Sequence, residues 1–335
     1  MFLFSKICYN HCQNTQLLEG AFTTMTKTSI GIIGTGVVGE RIINQALQNE
    51  HYEIAAIFDE NSERMLQLAT KYHVPTTDSL EALLALRPDW VYIGTPPVSH
   101  APLAREIAKY GLPILSEKPL AHDAADGEVM VRVTQEANVQ TAMHFPLMYG
   151  PAVHQLKKEL VNDLGDITRI ELHTYFPEWP RKWQQNPWIA SRTQGGFIRE
   201  IFPHYLQLTH HLFGDIEIFA HETTYPENRE LCETGISALA KTTSGIPIVM
   251  NGLSSIGQEE RIDYKIFGTK KVVTLRNWSE VYISKAYEQE VQVTPTEKPE
   301  TLLDACRKAL LGEEAFLVSF EEGLKVQRWI DELLK

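Results

Sequence analysis

Residues 29–39 read SIGIIGTGVVG, a compact apolar run that passes directly into three closely spaced glycines. A short apolar run bounded by a turn is typical of a strand buried in a parallel sheet. Gly34, Gly36 and Gly39 then match the G-x-G-x-x-G spacing where residues with helical periodicity begin. We expect Gly34 to permit a tight turn, Gly36 to let the backbone approach a pyrophosphate, and Gly39 to allow close packing of helix on strand.

The turn is expected to hold a dinucleotide, because the amides and partial positive charge of a helix N-terminus attract phosphate. Asp59 ends a second apolar stretch 20 residues after Gly39, where a carboxylate can bind the hydroxyls of the adenosine ribose. Asp59, followed by Glu60, would also repel a 2′-phosphate, which favours NAD(H) over NADP(H). A glycine-rich turn with a solvent-facing Asp59 is the alternative. The residues assigned to the cofactor in this segment are Gly34, Thr35, Gly36, Val37, Val38, Gly39 and Asp59.

Apolar strands and amphipathic helices alternate through the first half of the chain. This alternation predicts a doubly wound parallel sheet, and we assign residues 27–146 to a nucleotide-binding domain. The predicted strands are 29–34, 53–59, 90–94, 113–116 and 139–143. The predicted helices are 37–49, 62–72, 80–86, 100–110 and 124–137.

The pattern changes after residue 151, and we assign residues 147–335 to a second domain. A helix at 152–164, a strand at 167–176 and a helix at 197–212 are followed by several consecutive strands between residues 216 and 293. Strands without intervening helices suggest an antiparallel sheet. Stretches such as 236–240 and 246–250 are apolar on both faces, which predicts a homodimer or homotetramer through this sheet. Closing helices are predicted at 302–310 and 320–334, and the last could pack back on the first domain.

Composition excludes some classes of protein. The 335 residues carry 31 Lys and Arg against 43 Asp and Glu, a net charge of −12 that argues against nucleic-acid binding. No apolar run reaches the roughly 18 residues that span a bilayer, so a membrane-embedded role is not expected. The cysteines are too few and too scattered for a disulfide scaffold, which favours a cytoplasmic location. They are Cys8, Cys12, Cys232 and Cys306.

The first 26 residues fit nothing downstream. We expect them to be a disordered or non-native leader, with the natural start at Met25 just before the first strand. A short export signal is the weaker alternative.

Three further segments resemble one family of enzymes. They are Gly94-Thr95-Pro96-Pro97 with His100, Ser116-Glu117-Lys118-Pro119, and Gly195-Gly196 with Glu200 and His204. With the glycine loop, they look like the glucose–fructose oxidoreductase / inositol dehydrogenase / MocA family over residues 27–334. The resemblance implies an N-terminal Rossmann domain and a C-terminal α+β domain with an open, mostly antiparallel sheet. It also implies that the Lys of Glu-Lys-Pro and the His of an Asp-x-x-x-His motif act in catalysis.

The resemblance therefore implies an NAD(P)-dependent oxidoreductase acting on a sugar, a polyol or a related hydroxy compound. Lys118 would polarise the substrate oxygen, and His204 would be the general base. Glu200 stands where the family usually has Asp, four residues before His204, and would orient the imidazole, raise its pKa or contact the substrate. Further cofactor contacts are expected from Thr95, Pro96, Pro97, His100, Glu117 and Lys118.

Two departures from the family pattern leave the substrate open. Residues 145–148, Phe-Pro-Leu-Met, replace a basic run after the fifth strand, and Phe202-Pro203 replaces the usual Gly before the histidine. The candidate substrate contacts are His144, Trp183, Trp188 and Arg192. Packing of the Trp-rich loop on the sheet or at a subunit interface is the alternative for the tryptophans, and a structural role is the alternative for His144.

Two further alternatives stay open. A cofactor-binding sensor or regulator that kept the fold but lost turnover is the alternative function. A metal site is the other, although hydride transfer needs no metal and we expect none. Its ligands would be Glu200, His204, His210 and His211.

Overall fold

The computed structural model describes residues 27–184 and 186–335. The expectations for residues 1–26, including a start at Met25, lie outside this part of the chain. The described residues form two sheets, each with its own helices.

The first sheet has five parallel strands in the order β2-β1-β3-β4-β5, which confirms the predicted doubly wound fold. Every residue of β3 and β4 is buried, so helices cover both faces of the sheet. The strands are β1 (Thr28–Ile33), β2 (Tyr52–Phe58), β3 (Trp90–Ile93), β4 (Ile114–Glu117) and β5 (Thr141–His144). The helices are α1 (Val37–Gln48), α2 (Ser62–Tyr72), α3 (Leu80–Ala85), α4 (His100–Lys109) and α5 (Ala124–Glu136).

Side-chain caps begin three of these helices. Asn61 accepts a hydrogen bond from the Arg64 amide at the start of α2, and Ser79 and Asp123 make equivalent caps for α3 and α5. Because the strands are parallel, the loops that follow β1, β3, β4 and β5 all lie at one edge of the sheet. That edge carries the glycine loop, Thr95, Lys118 and His144.

The second sheet has eight strands in the order β13-β12-β11-β10-β6-β9-β8-β7. All neighbouring pairs are antiparallel except β6 with β9, so the predicted mostly antiparallel sheet is confirmed. The strands are β6 (Ile167–Phe176), β7 (Ile216–Thr224), β8 (Gly235–Thr242), β9 (Pro247–Ser254), β10 (Arg261–Gly268), β11 (Lys271–Arg276), β12 (Glu280–Lys285) and β13 (Val291–Val293).

Buried and exposed side chains alternate along β6 and β8, because one face of the sheet packs against helices. The helices of this part are α6 (Pro151–Val161) and α7 (Phe197–Phe213). Helix α7 lies on the inner face: Phe197 packs against Phe176 with ring centroids 5.7 Å apart, and the hydroxyls of Thr209 and Tyr264 are 2.9 Å apart. This packing fixes the helix that carries Glu200 and His204.

The last two helices, α8 (Leu302–Leu310) and α9 (Phe320–Leu333), return to the first domain. The Tyr52 hydroxyl donates to the Leu303 carbonyl at 2.6 Å, and the Trp90 indole donates to the Cys306 carbonyl at 3.2 Å. In α9, the Asp331 carboxylate accepts from the Ala124 amide at 2.7 Å. The chain therefore closes on its own N-terminal sheet, which holds the two domains together.

None of helices α1–α9 in the described part of the chain combines the length and the apolar composition needed to cross a membrane.

Candidate active site

The three glycines of the turn after β1 have different surroundings. Gly34 has φ +94°, and a Cβ there would lie 2.7 Å from the Gly94 carbonyl oxygen. A Cβ on Gly39 would lie 2.0 Å from the Gly34 carbonyl oxygen. Around Gly36, in contrast, no heavy atom of the described residues lies within 4 Å of an added Cβ. The open space over Gly36, at the N-terminus of α1, fits the pyrophosphate of a dinucleotide.

The Asp59 carboxylate forms hydrogen bonds with the glycine loop. One of its carboxylate oxygens accepts from the backbone amide of Thr35 at 2.5 Å and from the Thr35 hydroxyl at 2.7 Å. The other accepts from the Asn61 amide at 2.8 Å. The carboxylate expected for the ribose therefore lies beside the phosphate loop, although part of its hydrogen-bonding capacity is used within the protein.

A cation also lies beside this loop. The Arg64 guanidinium donates to the Thr35 carbonyl at 3.2 Å and to Glu40 at 2.6 Å. Hydrogen bonds from Lys71 and Tyr72, together with Arg64, lower the pKa of Glu40 to about 2. Glu40 therefore pairs with two cations, Arg64 and Lys71, and balances the charge of Arg64 only in part.

His100 joins the loops that follow β3 and β4. Its ring is fully buried, with Nε2 2.8 Å from the Thr95 carbonyl oxygen and Nδ1 3.1 Å from the Leu120 carbonyl oxygen. Burial lowers the pKa of His100. His100 therefore fixes the loop of Thr95, Pro96 and Pro97 from its buried side. Because the His100 ring is fully buried, it cannot contact a cofactor directly.

Glu117 is the centre of a buried hydrogen-bond network at the end of β4. The Tyr92 hydroxyl donates to its Oε1 at 2.5 Å, and Nδ1 of His144 makes a very short contact with the same oxygen. The Lys118 amide donates to Oε2 at 3.3 Å. Burial alone would raise the pKa of Glu117, but His144, Tyr92 and Lys118 outweigh it and lower this pKa to about 2. Glu117 is therefore a buried carboxylate that holds its neighbours in place.

Lys118 and Glu200 meet across the junction of the two domains. The ammonium nitrogen of Lys118 lies 3.3 Å from a carboxylate oxygen of Glu200 and donates to the Glu200 backbone carbonyl, also at 3.3 Å. Both side chains are mostly buried. Pro203, further along α7, has no amide to donate to the Arg199 carbonyl.

The expectation that Glu200 orients His204 and raises its pKa is wrong. The carboxylate lies at Lys118, and Nδ1 of His204 is buried with no hydrogen-bond partner among the described residues. Burial, followed by the charge of Lys118, moves the pKa of His204 well below its ordinary value. The imidazole lies edge-on between two aromatic rings, at 5.9 Å from Phe145 and 5.1 Å from Trp278. His204 is therefore a neutral ring in an apolar setting.

The sequence analysis missed Trp278. It lies in the turn between β11 and β12, where Asn277 and Trp278 have φ values of +47° and +74°. Its indole also contacts Tyr205 on α7, with ring centroids 5.5 Å apart. The available signal was Asn277, a residue that tolerates left-handed backbone, between two stretches of strand-forming residues.

The four candidate substrate contacts separate in the structure. His144 lies in the Glu117 network, and Trp188 is half-buried in the short 3₁₀ turn Pro187–Ala190. Trp183 is 55% exposed and lies under the Arg41 guanidinium of α1, at 5.9 Å, so it bridges the two domains. Arg192 covers the ring of Tyr225 at 3.7 Å, where β7 ends.

Glu233 supports the start of α7. It is 1% exposed, and its Oε1 accepts from the Ile198 amide at 2.7 Å. Gly196 has φ +100°, and a Cβ there would lie 2.2 Å from the Glu233 carboxylate. Burial raises the pKa of Glu233 to about 7. This carboxylate fixes the entry of the helix that presents Glu200 and His204.

The four residues considered for a metal do not converge. Nδ1 of His210 lies 3.0 Å from Asp215, and the ring of His211 packs on Phe316 at 4.5 Å. Within residues 27–184 and 186–335, the group with metal-ligand spacing is instead His122, Asp123 and Asp126. The His122 ring lies 3.2 Å from the Asp123 carboxylate and 3.0 Å from the Asp126 carboxylate, and Asp123 caps α5.

Comparison with known families agrees with this geometry. The oxidoreductase-family model described as an NAD-binding Rossmann fold matches residues 28–145. The oxidoreductase-family model described as a C-terminal alpha/beta domain matches residues 158–335. The chain therefore belongs to the Gfo/Idh/MocA oxidoreductase family.

Individual relatives are distant. The D-apiose dehydrogenase of Paraburkholderia graminis is 24% identical over 242 residues, which are 71% of this chain but only 63% of that protein. The inositol 2-dehydrogenase of Rhizobium meliloti is 23% identical over 306 residues, 88% of this chain and 89% of that protein. The solved structure of KijD10, a 3-ketoreductase from Actinomadura kijaniata in complex with NADP and TDP-benzene, has a TM-score of 0.78. It is 18% identical, over 92% of this chain and 97% of its own, and shares the fold.

The open space over Gly36 leads to a prediction about cofactor binding. Gly36→Ala should leave the melting temperature unchanged and weaken dinucleotide binding at least about tenfold, because the added methyl enters the space that the pyrophosphate needs. Titration calorimetry with NAD⁺ and NADP⁺ measures the affinity. Gly257→Ala, at another position with open surroundings, is the control and should bind normally. If Gly36→Ala binds the dinucleotide with normal affinity, the pyrophosphate does not bind over Gly36.

Burial of Glu233 leads to a prediction about stability. Its pKa is about 7 in the folded protein, against an ordinary value of 4.5, so its contribution to stability is lost as pH rises from 4.5 towards 7. Glu233→Gln has no proton to release. Its free energy of unfolding should therefore rise relative to wild type between about pH 5 and about pH 8, by up to roughly 3 kcal/mol. Urea unfolding at the two pH values measures this. The exposed Glu230→Gln should follow wild type, and equal pH dependence in all three proteins would contradict the buried carboxylic acid.

Proposed function

We propose that this protein transfers a hydride between NAD(H) and the carbinol or carbonyl carbon of a sugar, a polyol or a related hydroxy compound. The observation that carries the proposal is the Lys118 ammonium, which faces α7 at the carboxyl end of a parallel sheet, the same edge that carries the glycine loop. In open α/β sheets, ligands bind outside the carboxyl ends of the strands. Family membership supports the class of reaction, and a cytoplasmic location fits the two free, buried cysteines of the described chain.

In this proposal the glycine loop and Asp59 hold the cofactor. When bound, the dinucleotide supplies the group that accepts or donates hydride. Gly36 and the N-terminus of α1 hold the pyrophosphate, and Asp59 accepts from a ribose hydroxyl. NAD(H) is favoured because Asp59 and Glu60 put negative charge where a 2′-phosphate would lie; Glu40 is shared between Arg64 and Lys71.

Lys118 is assigned to the substrate oxygen, which becomes more negative as the carbon is oxidised. A fixed cation stabilises that charge most when it needs no rearrangement, and the ion pair with Glu200 fixes Lys118 before substrate arrives. His204 is a weak base because burial lowers its pKa. We therefore propose that the His204 ring forms a hydrogen bond with a substrate hydroxyl and does not act as the general base.

We further propose that a second copy of the chain covers the outer face of the second sheet. Leu239 and Leu253 on this face are 46% and 47% exposed, and Phe219 on β7 is 59% exposed. Tyr175, Ser237 and other residues of β6–β9 line a groove there of about 350 Å³. A second copy would bury this apolar surface.

Lys118→Ala tests the reaction. Wild type screened against sugars, polyols and their acids should reduce NAD⁺ faster than NADP⁺, followed as NADH absorbance. Lys118→Ala should lose about 100-fold or more in kcat while dinucleotide affinity stays within a few-fold, because the lost charge acts on the substrate oxygen. Lys109→Ala, on the exposed side of α4, is the control. Tight NAD⁺ binding without turnover of any compound would favour the cofactor-binding regulator.

Leu239→Glu tests the subunit interface. Wild type should sediment as a dimer or tetramer, and the variant should shift towards monomer because a charge replaces a side chain buried between copies. Leu311→Glu, 52% exposed at the end of α8, is the matched control and should keep the wild-type mass. A monomeric wild type in analytical ultracentrifugation would contradict the interface.

A further inference from the structure

A buried network of three side chains lies next to Lys118, and the proposed function gives these side chains no role. Glu117, at the end of β4, accepts from the Tyr92 hydroxyl and contacts Nδ1 of His144, at the end of β5. All three side chains are buried, and Glu117 pairs with His144 in the register of the two strands. The network therefore lies at the same sheet edge as Lys118.

The second ring nitrogen of His144 is free of this network. Nδ1 is committed to Glu117, whereas Nε2 has no hydrogen-bond partner among the described residues. It is also absent from their fully buried unpaired atoms, which include Nδ1 of His204. His144 Nε2 thus keeps some accessible surface, although the side chain as a whole is buried.

The two histidines of the site differ in what they can do with a proton. Nδ1 of His144 lies against the Glu117 carboxylate, which fixes the tautomer of the ring. A positive imidazole at His204 would lie among aromatic rings, with Lys118 repelling it. A histidine paired with a carboxylate through one nitrogen, and open at the other, is suited to accept a proton.

We propose that His144 is the acid–base residue of this site, with Glu117 and Tyr92 as positioning residues. This rests on the proposed function. In oxidation, the substrate C–H bond breaks and its electron pair leaves as hydride for the oxidised dinucleotide, which is reduced. The substrate O–H bond breaks, its proton forms an N–H bond at His144 Nε2, and the oxygen becomes a carbonyl. His144 then releases the proton to water. In reduction the same steps run backwards.

Several charged groups surround the network and bear on its pH dependence. Lys118 follows Glu117 directly, and His204 faces both from α7. Arg41 on α1 acts on Tyr92, and Arg181 on His204. Glu200 balances Lys118. Substitution of His144 alone leaves all of these groups in place.

His144→Gln is the main test, because its side chain is polar and of similar size but cannot take up a proton. With a substrate found in the screen, kcat for oxidation should fall at least about 100-fold. A fall of kcat at low pH, which the proposal expects of wild type, should be absent in this variant. Dinucleotide affinity by calorimetry and the melting temperature should stay near wild type. In His144→Ala, added imidazole should restore part of kcat. His154→Gln, in an exposed His–Glu pair with Glu297, is the matched control.

The outcomes separate this proposal from the one it rests on. If wild type oxidises nothing, both fail. If wild type turns over and His144→Gln keeps kcat within about threefold with the same pH profile, only the assignment to His144 fails. If instead His204→Gln is the variant in which kcat no longer falls at low pH, His204 is the residue that accepts the proton. If His144→Gln does not fold, the test passes to His144→Ala. A folded His144→Ala whose kcat does not increase on addition of imidazole would overturn the assignment.

Discussion

The contact between Lys118 and Glu200 is the interaction on which the site depends. It joins residues 82 positions apart, one at the end of a parallel strand and the other on a helix that lies across the second sheet. The sheet edge fixes one end because β4 is buried on both faces. The other end is fixed by the packing of α7 on β6 and by the Glu233 cap. Helices α8 and α9 then hold the two domains in this relation.

Around that contact the protein places two histidines in opposite environments. His144 faces a buried carboxylate that also accepts a hydrogen bond from Tyr92. His204 faces two aromatic rings and a lysine, so its ring stays neutral. In the proposals made above, the Lys118 cation meets the substrate oxygen, His144 accepts the proton, and the neutral ring of His204 holds another hydroxyl.

The sequence predicts the features of the fold that depend on contacts between residues close together in the chain. The roles of Gly34 and Gly39 follow from contacts within one strand–turn–helix unit, and the alternation of strands and helices determined the first sheet. The partners of Glu117 depend on the order of strands in space, which puts β5 and β3 on either side of β4. The Glu200 carboxylate was assigned to His204 because both share a helix face, but a buried ammonium attracts it more strongly. Trp278 arrives from a turn about 70 residues beyond His204, a distance over which periodicity carries no information.

A crystal structure of the protein with NAD⁺ bound tests the central claim most directly. The account predicts the pyrophosphate against Gly36 at the start of α1, and the nicotinamide ring in the space bordered by Lys118, His144 and His204. The Lys118 ammonium should then lie between the ring and Glu200, open to a substrate oxygen. A nicotinamide ring outside that space, or a dinucleotide bound away from the glycine loop, would contradict the account.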